Sequence, residues 1–324
     1  MVHYTAASRA LMNSGYSIPK LALGTWLSHG DHVFKATLHA LRSNYRHIDT
    51  AYAYKNEHEI GRAIHQFLSE DKSVKRSDIF VTTKVWNTFH SAKNVQRNCE
   101  MSLNSLCFDY IDLYMMHWPM GYKEDTGDDV FVPKDDNGVP QYSTVSFLET
   151  YSAMEKLVDQ GKVKSIGVCN FNLSQLRKLI DSCRIKPAVV QNEIHPFNPE
   201  NELLEFCKTH KIIVEAYAPL GAPNRLSAKD TDPSLLDNEV INDIATTLQC
   251  SQAAVLISWC ISRGVVCLVK SVTPKRIMEN FEAQNIVLSD EMMTRINNLS
   301  KGTSFKYYVH RDGSGHPDYP FGCN

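Results

Sequence analysis

No stretch of eighteen uninterrupted apolar residues occurs in this 324-residue chain, so it offers no candidate for a membrane-spanning helix. It also lacks an excess of either charge. Thirty-four Lys and Arg stand against thirty-six Asp and Glu, a net charge of −2. Neither a nucleic-acid surface nor a polybasic membrane surface is expected from that balance, although a small basic pocket for one phosphate is compatible with it. The opening MVHYTAASRALMNSG has polar residues in every apolar run and no signal-peptide core. Nine cysteines are scattered without a C-x-x-C spacing, and Cys169, Cys260 and Cys267 sit in apolar stretches. Such residues read as free buried thiols of a reducing compartment, and a cytoplasmic protein follows as the expectation. H-E-x-x-H is missing. No G-x-G-x-x-G follows the first apolar run, so an open-sheet dinucleotide site has no anchor.

What is present is a rhythm. Apolar content of 43% and charged content of 22% are those of an ordinary folded protein. Short apolar runs recur at 20–24, 45–49, 79–85, 111–118, 164–170, 188–193, 212–217 and 265–270. Several are almost continuously hydrophobic, as parallel strands covered on both faces must be. Helical stripes lie between them. Val33, Ala36, Thr37, Ala40 and Leu41 share one face, as do Val95, Cys99, Ser102, Leu103 and Leu106, and Tyr151, Met154, Leu157 and Val158. Gly161 reads as a helix stop and Pro274 as a helix start. Eight strands alternating with helices predict a single α/β domain over residues 1–324, a (β/α)8 TIM barrel with extended loops at its C-terminal mouth.

Polar residues end several predicted strands: Asp49, Lys84, His117, Asn170, Gln191 or Glu193, Tyr217 and Lys270. A barrel gathers its strand ends at one mouth, so these distant residues are expected to converge. Two insertions, 119–143 and 218–234, and a tail over about 301–324 follow no clear periodicity, and the tail is expected to contribute to the substrate pocket.

Tyr54, Lys84, Asp49 and His117 together have a chemical logic. A carbonyl that receives hydride needs a proton donor. A phenol near pKa 10 gains acidity from an adjacent ammonium, which a carboxylate would orient. His117 would hold the carbonyl oxygen or share in proton donation, and the sequence leaves both roles open. Each of the four also has a plain structural reading as a loop cap, loop tyrosine, snorkelling lysine or packing histidine. A metal site built from His47, His58, His117, His195, Asp49, Glu57 and Glu193 is the rival, and no metal is expected. In LVKSVTPKRIMEN, a strand delivers Lys270 and Ser271 to a turn, and a helix follows with Lys275 and Arg276. That arrangement suits a 2′-phosphorylated adenosine, although a helix cap with solvated cations looks the same. Tyr217 can stack on a nicotinamide ring, and Asn170 and Gln191 can bind a carboxamide.

At this point the chain resembles the aldo-keto reductase superfamily, closest to its aldose and aldehyde reductase branch. The likeness runs from GTW at 24–26 to about residue 300. HIDTAYAYKNEHEIG resembles the first signature, GKVKSIGVCNF the second and LVKSVTPKRIMENF the third, with VTTKVW and DLYMMHWP supplying the family lysine and histidine. The resemblance implies NADPH-dependent reduction of aldehydes and ketones, with catalytic Asp49, Tyr54, Lys84 and His117. It implies Asn170 and Gln191 on the carboxamide, Tyr217 on the ring, and Lys270, Ser271, Val272, Arg276, Glu279 and Asn280 around the adenosine phosphate. Thr25, Trp26, Asp49 and Leu220 also fall to the NADPH/NADP site. The substrate pocket is expected from Trp26, Tyr54, His117, Trp118 and Phe131, and the protein is expected to be a monomer acting on a small-molecule carbonyl.

Three departures matter. Cys169 replaces a common serine, which removes a hydroxyl near the carboxamide. Ala218 replaces another serine, which removes a phosphate contact. A clamp between an acidic residue and a lysine would fall on Asn224 and Leu27, so a fast-opening cofactor loop is predicted. Alcohol oxidation in the reverse direction and a non-catalytic cofactor-binding barrel are the alternative functions.

Overall fold

The computed structural model describes residues 9–223, 225–302 and 304–322. All eight predicted runs are parallel barrel strands: β3 (Leu21–Gly24), β4 (His47–Asp49), β5 (Phe80–Val85), β6 (Ile111–Met116), β7 (Val163–Cys169), β8 (Val189–Glu193), β9 (Ile213–Tyr217) and β10 (Val266–Lys270). They pair in chain order, and β10 closes on β3. The fold is therefore the expected (β/α)8 barrel.

The connecting helices bury the stripes read from the sequence. In α1 (Gly30–Arg42) the buried face includes Val33, Ala36, Thr37, Ala40 and Leu41. In α3 (Ala92–Leu106), Val95, Cys99, Ser102 and Leu106 are buried, while Leu103 is half-buried at the edge. Helix α2 (Glu57–Glu70) lies between them in the chain. Helix α4 (Phe147–Asp159) opens with a Ser146–Glu149 capping box. It stops just before Gly161, whose φ of +70° is the left-handed geometry of a helix exit. Helices α5 (Leu173–Ser182), α6 (Asn201–Thr209), α7 (Glu239–Thr247), α8 (Gln252–Ser262), α9 (Pro274–Glu282) and α10 (Asp290–Asn297) complete the outer layer. Pro274 occupies the first turn of α9, as expected.

An N-terminal hairpin, β1 (Arg9–Leu11) with β2 (Ser17–Pro19), is an element that the periodicity did not predict. It covers the N-terminal end of the barrel. Met12 and Ile18 join the apolar cluster that fills the interior with Ala22, Phe80, Leu113, Val189, Val266 and Leu268. Asn13 donates from its side chain to the carbonyl of Pro187, just before β8, and so ties the hairpin to the barrel floor. Apolar side chains plug that end of the barrel interior, and the polar strand ends gather at the C-terminal mouth.

No single helix among the described residues is long and apolar enough to cross a membrane. Only α7 and α8 taken together, bent by 92°, have the required length and composition.

Candidate active site

Side chains alternate in and out along a strand, so on β5 the inward set is Phe80, Thr82 and Lys84. The same parity turns His47 and Asp49 inward on β4, and Glu215 and Tyr217 on β9. The inward layers are apolar near the hairpin and become polar near the mouth. There the Lys84 ammonium, fully buried, donates to both carboxylate oxygens of Asp49 at 2.8 Å and to the carbonyl of Thr50 at 2.9 Å. Burial works against that ammonium, but Asp49 and then Tyr54 outweigh it, and its pKa lies above the usual lysine value.

Tyr54 ends a short 3-10 turn after β4, with its ring centroid 5.2 Å from the Lys84 nitrogen. The neighbouring Tyr52 faces elsewhere, because its hydroxyl donates to the carbonyl of Asp128 in the 119–143 insertion at 2.9 Å. The expectation of an acidified phenol needs correction. Burial raises the Tyr54 pKa above that of free tyrosine, and Lys84 only opposes this. The phenol is therefore fully protonated at neutral pH, the state a proton donor requires.

His117 lies with its ring 5.6 Å from that of Tyr54 and at 75° to it. Burial, and secondarily Lys84, push its pKa well below the usual histidine value, so the ring is neutral. A neutral imidazole is suited to orienting an oxygen rather than to delivering the main proton.

Asp49, Tyr54 and His117 floor a cavity of about 920 Å³ that continues to the start of α9, with Lys84 buried behind them. Tyr217 donates to Asn170 Oδ1 at 2.7 Å. Asn170 Nδ2 donates to the His117 carbonyl at 3.0 Å and to the Cys169 sulfur at 3.2 Å. The thiol in turn reaches Gln191 Oε1 at 3.6 Å, so Cys169 supplies a weak donor where a hydroxyl was expected to be lost. At the far end, Lys270, Ser271, Val272, Arg276, Glu279 and Asn280 all line the cavity. Neither Lys270 nor Arg276 has an ion-pair partner among the described residues, and Glu279 instead pairs with Lys275 at 3.6 Å.

Thr25, Trp26, Leu220, Trp118 and Phe131 also line this cavity, so every residue singled out for cofactor or substrate is gathered in one place. The tail adds Tyr307, Tyr308, Val309 and His310. Four non-glycine residues in the cavity wall, Leu27, Asn170, Ala218 and Ala222, have positive φ between 44° and 62°. Such backbone costs about 1 kcal/mol or more per residue and concentrates at functional sites.

Of the histidines considered for a metal, His117 lies in the cavity, and the others lie elsewhere or are engaged. His47 contacts the Pro19 carbonyl and Thr82, His195 contacts Glu193 at 2.9 Å, and His58 stands beside Glu59. Glu57 accepts from Thr83. No group of three or more His, Cys, Asp or Glu among the described residues is arranged to hold a metal ion.

The Aldo/keto reductase family profile matches residues 20–301. The chain belongs to the aldo/keto reductase family. Aldo-keto reductase family 1 member A1 of Xenopus tropicalis is 41% identical to it, over 98% of each chain. The human protein of the same name is 38% identical over 98% of each. A solved structure, the aldose reductase of Schistosoma japonicum, superposes with a TM-score of 0.88 at 40% identity, covering 97% of this chain and 98% of the other. This aldo-keto reductase is thus an oxidoreductase of the carbonyl-reducing kind, closest to the aldose and aldehyde reductase branch.

Several site residues of this aldo-keto reductase were not singled out from its sequence. Trp86, two positions beyond Lys84, continues the inward parity and stands 5.1 Å from the His117 ring. Glu193, weighed only as a strand end or metal ligand, accepts the backbone N–H groups of Tyr307 and Tyr308 at 2.6 and 2.9 Å. It thereby fixes the tail so that Tyr308 packs on Trp26 at 5.1 Å. Arg225 pairs with Asp232 and lies 4.5 Å over the Tyr307 ring, which joins the 218–234 loop to the tail. Of the two predicted clamp positions, Leu27 presents an aliphatic side chain, and Asn224 lies outside the described residues.

Proposed function

We propose that this protein reduces aldehydes and ketones with NADPH, with Tyr54 donating the proton and His117 orienting the carbonyl oxygen. When bound, the nicotinamide cofactor supplies the hydride. The protein's own part is to hold an oxygen acceptor beside a protonated phenol at the floor of the cavity. The observation that carries this reading is the buried Asp49–Lys84 pair directly behind Tyr54. An ammonium held in place there stabilises the phenolate left after proton transfer, and Asp49 keeps that ammonium charged and aimed.

The fit of the cofactor rests on the cavity itself. Tyr217 offers an aromatic face near the catalytic end, beside the amides of Asn170 and Gln191. Lys270 and Arg276, exposed at the other end without ion-pair partners among the described residues, supply charge for a 2′-phosphate. Ser271, Val272, Glu279 and Asn280 complete that end, and Thr25, Trp26 and Leu220 border the stretch between. The substrate end is lined by Trp26, Trp118 and Phe131 together with His310, whose pKa burial lowers. That lining favours a carbonyl compound with an apolar body.

We read residues 1–324 as one barrel domain whose tail walls the substrate end, working as a monomer in the cytoplasm. In support of the compartment, the eight described cysteines are free thiols. The direct test compares a panel of aldehydes and ketones with NADPH and with NADH. NADPH-dependent turnover that collapses in Tyr54→Phe supports the reading. Tight NADPH binding with no turnover of any carbonyl would instead favour a cofactor-binding barrel without catalysis.

A further inference from the structure

Glu215 is fully buried inside the barrel on β9, two residues before Tyr217 and on the same inward face. Burial, reinforced by the Asp49 charge, raises its pKa to about 8, although its hydrogen bond from Gln191 pulls the other way. It is therefore a neutral acid at pH 7, and it leaves Lys84 to Asp49. Across the strand ladder its register partner is Gln191. The Gln191 amide nitrogen donates to Glu215 Oε2 at 2.8 Å and to Asp49 Oδ2 at 3.0 Å.

A side-chain amide carries two N–H protons, and these two bonds use both. The Asp49 carboxylate also decides which way the amide faces, because an amide oxygen turned toward it would oppose lone pair to lone pair. What Gln191 has left for the cavity is its carbonyl oxygen. Asn170 repeats the pattern. Its amide protons go to the His117 carbonyl and the Cys169 sulfur, and its oxygen keeps acceptor capacity beyond the bond from Tyr217.

We propose that Glu215 is a positioning residue: together with Asp49 it occupies both amide protons of Gln191, so that this part of the cavity presents acceptor oxygens and selects a ligand group that donates. The group it fits is the NH2 edge of a primary carboxamide. Glu215 itself touches neither ligand nor reacting atoms. The inference rests on the reading that the cavity holds a nicotinamide cofactor, and it adds to that reading a reason for the orientation of the carboxamide.

The test compares equilibrium binding of NADP⁺ with that of its 3-acetylpyridine analogue, in which a methyl replaces the amide NH2. Quenching of tryptophan fluorescence reports both. The wild-type protein is expected to prefer NADP⁺ by about tenfold, the value of one buried hydrogen bond. Glu215→Met, which fills similar volume but accepts no hydrogen bond, should shrink that preference at least about threefold, mainly by weakening NADP⁺. Glu215→Gln, whose carbonyl can still accept, should restore it. A folded Glu215→Met protein with the wild-type preference overturns the proposal, and so does a Glu215→Gln protein that has lost it.

A second measurement needs no variant at position 215. In wild-type protein labelled with nitrogen-15, both side-chain amide protons of Gln191, assigned by their loss in Gln191→Met, should exchange slowly with solvent. One freely exchanging proton also overturns the assignment. If neither nucleotide binds, the cofactor reading and the ligand selectivity built on it fall together, while the exchange result still judges the hold on Gln191.

Discussion

At the barrel end of the cavity, the Lys84 ammonium is fully buried and gripped by both oxygens of Asp49. At the opposite end, Lys270 and Arg276 are exposed and have no ion-pair partner among the described residues. The difference separates two uses of positive charge. A buried, paired ammonium cannot attract a ligand, because its field is already neutralised by Asp49. It can respond to a charge that develops a few ångströms away on Tyr54. An exposed, unpaired cation has the opposite character. It is available to a bound phosphate but is screened by salt, and its effect is confined to affinity.

The comparison is tested most strongly at Tyr54. Removing its hydroxyl in Tyr54→Phe should lower kcat by about 10²- to 10³-fold while leaving the Kd for NADPH nearly unchanged, since one proton-transfer group is lost and no cofactor contact is. Single-turnover kinetics with an aromatic aldehyde, alongside fluorescence titration of NADPH, reads both quantities. Retained turnover would reassign the acid.

Next in size is the consequence of burying Glu215 in the dry end. Its folded pKa of about 8 lies above its ordinary value of 4.5. Stability from this group is therefore complete below about pH 4.5 and is lost as pH rises toward 8, because only the unfolded chain ionises freely in that window. Glu215→Gln removes the effect. Between pH 6 and 7.5 the stability of the wild type should fall by about 2 kcal/mol relative to the variant. Denaturant unfolding at several pH values measures the gap, and parallel pH profiles would show that Glu215 ionises normally in the fold.

At the exposed end the expected effect is smaller and bears on one ligand only. Arg276→Ala should weaken NADPH about tenfold, equivalent to about 1.4 kcal/mol, and leave NADH almost unaffected, since only NADPH carries the extra phosphate. Rising salt should weaken NADPH in the same direction in the wild type and to a lesser degree in the variant. Equal losses for the two cofactors would mean that Arg276 holds the helix or loop rather than the phosphate.

How legible each region was follows from the same contrast. Asp49, Lys84, His117, Asn170, Gln191, Tyr217 and Lys270 were visible because a polar residue at the end of an apolar run is conspicuous, and a barrel brings such ends together. Glu215 stands inside the run IIVEAY, where nothing separates an inward buried acid from an outward one until the strand register is known. Counting back two from Tyr217 gives its direction, though not its contact with Gln191. The β1–β2 hairpin was missed because two three-residue strands carry too few positions for a period-2 pattern. The acidity of Tyr54 was misjudged for a different reason. Sequence supplies the neighbouring ammonium but not the degree of burial, and burial is the larger influence.

The loop over 218–234 lies between the two ends, and there the effect should be smallest. An ion-pair clamp across the cofactor is unavailable from Leu27, whose side chain is aliphatic. The loop is held from the tail side instead. Arg225 is buried, pairs with Asp232 and stacks on Tyr307, and the Tyr307 hydroxyl donates to the Pro233 carbonyl at 2.6 Å. A Cβ on Gly221 would lie 3.1 Å from that hydroxyl, so the loop packs closely on the ring. Arg225→Ala removes the guanidinium but leaves the tail attached through Glu193, which grips the Tyr307 and Tyr308 amides independently. The loop should then open more readily while the substrate end keeps its shape. NADP⁺ release in stopped-flow fluorescence should speed up about threefold, equivalent to about 0.6 kcal/mol, with little change in KM for the carbonyl. A release rate that does not change in the variant would locate the hold on the cofactor outside this loop. Very slow release limiting wild-type turnover would mean that the loop closes tightly without an ion pair to Leu27.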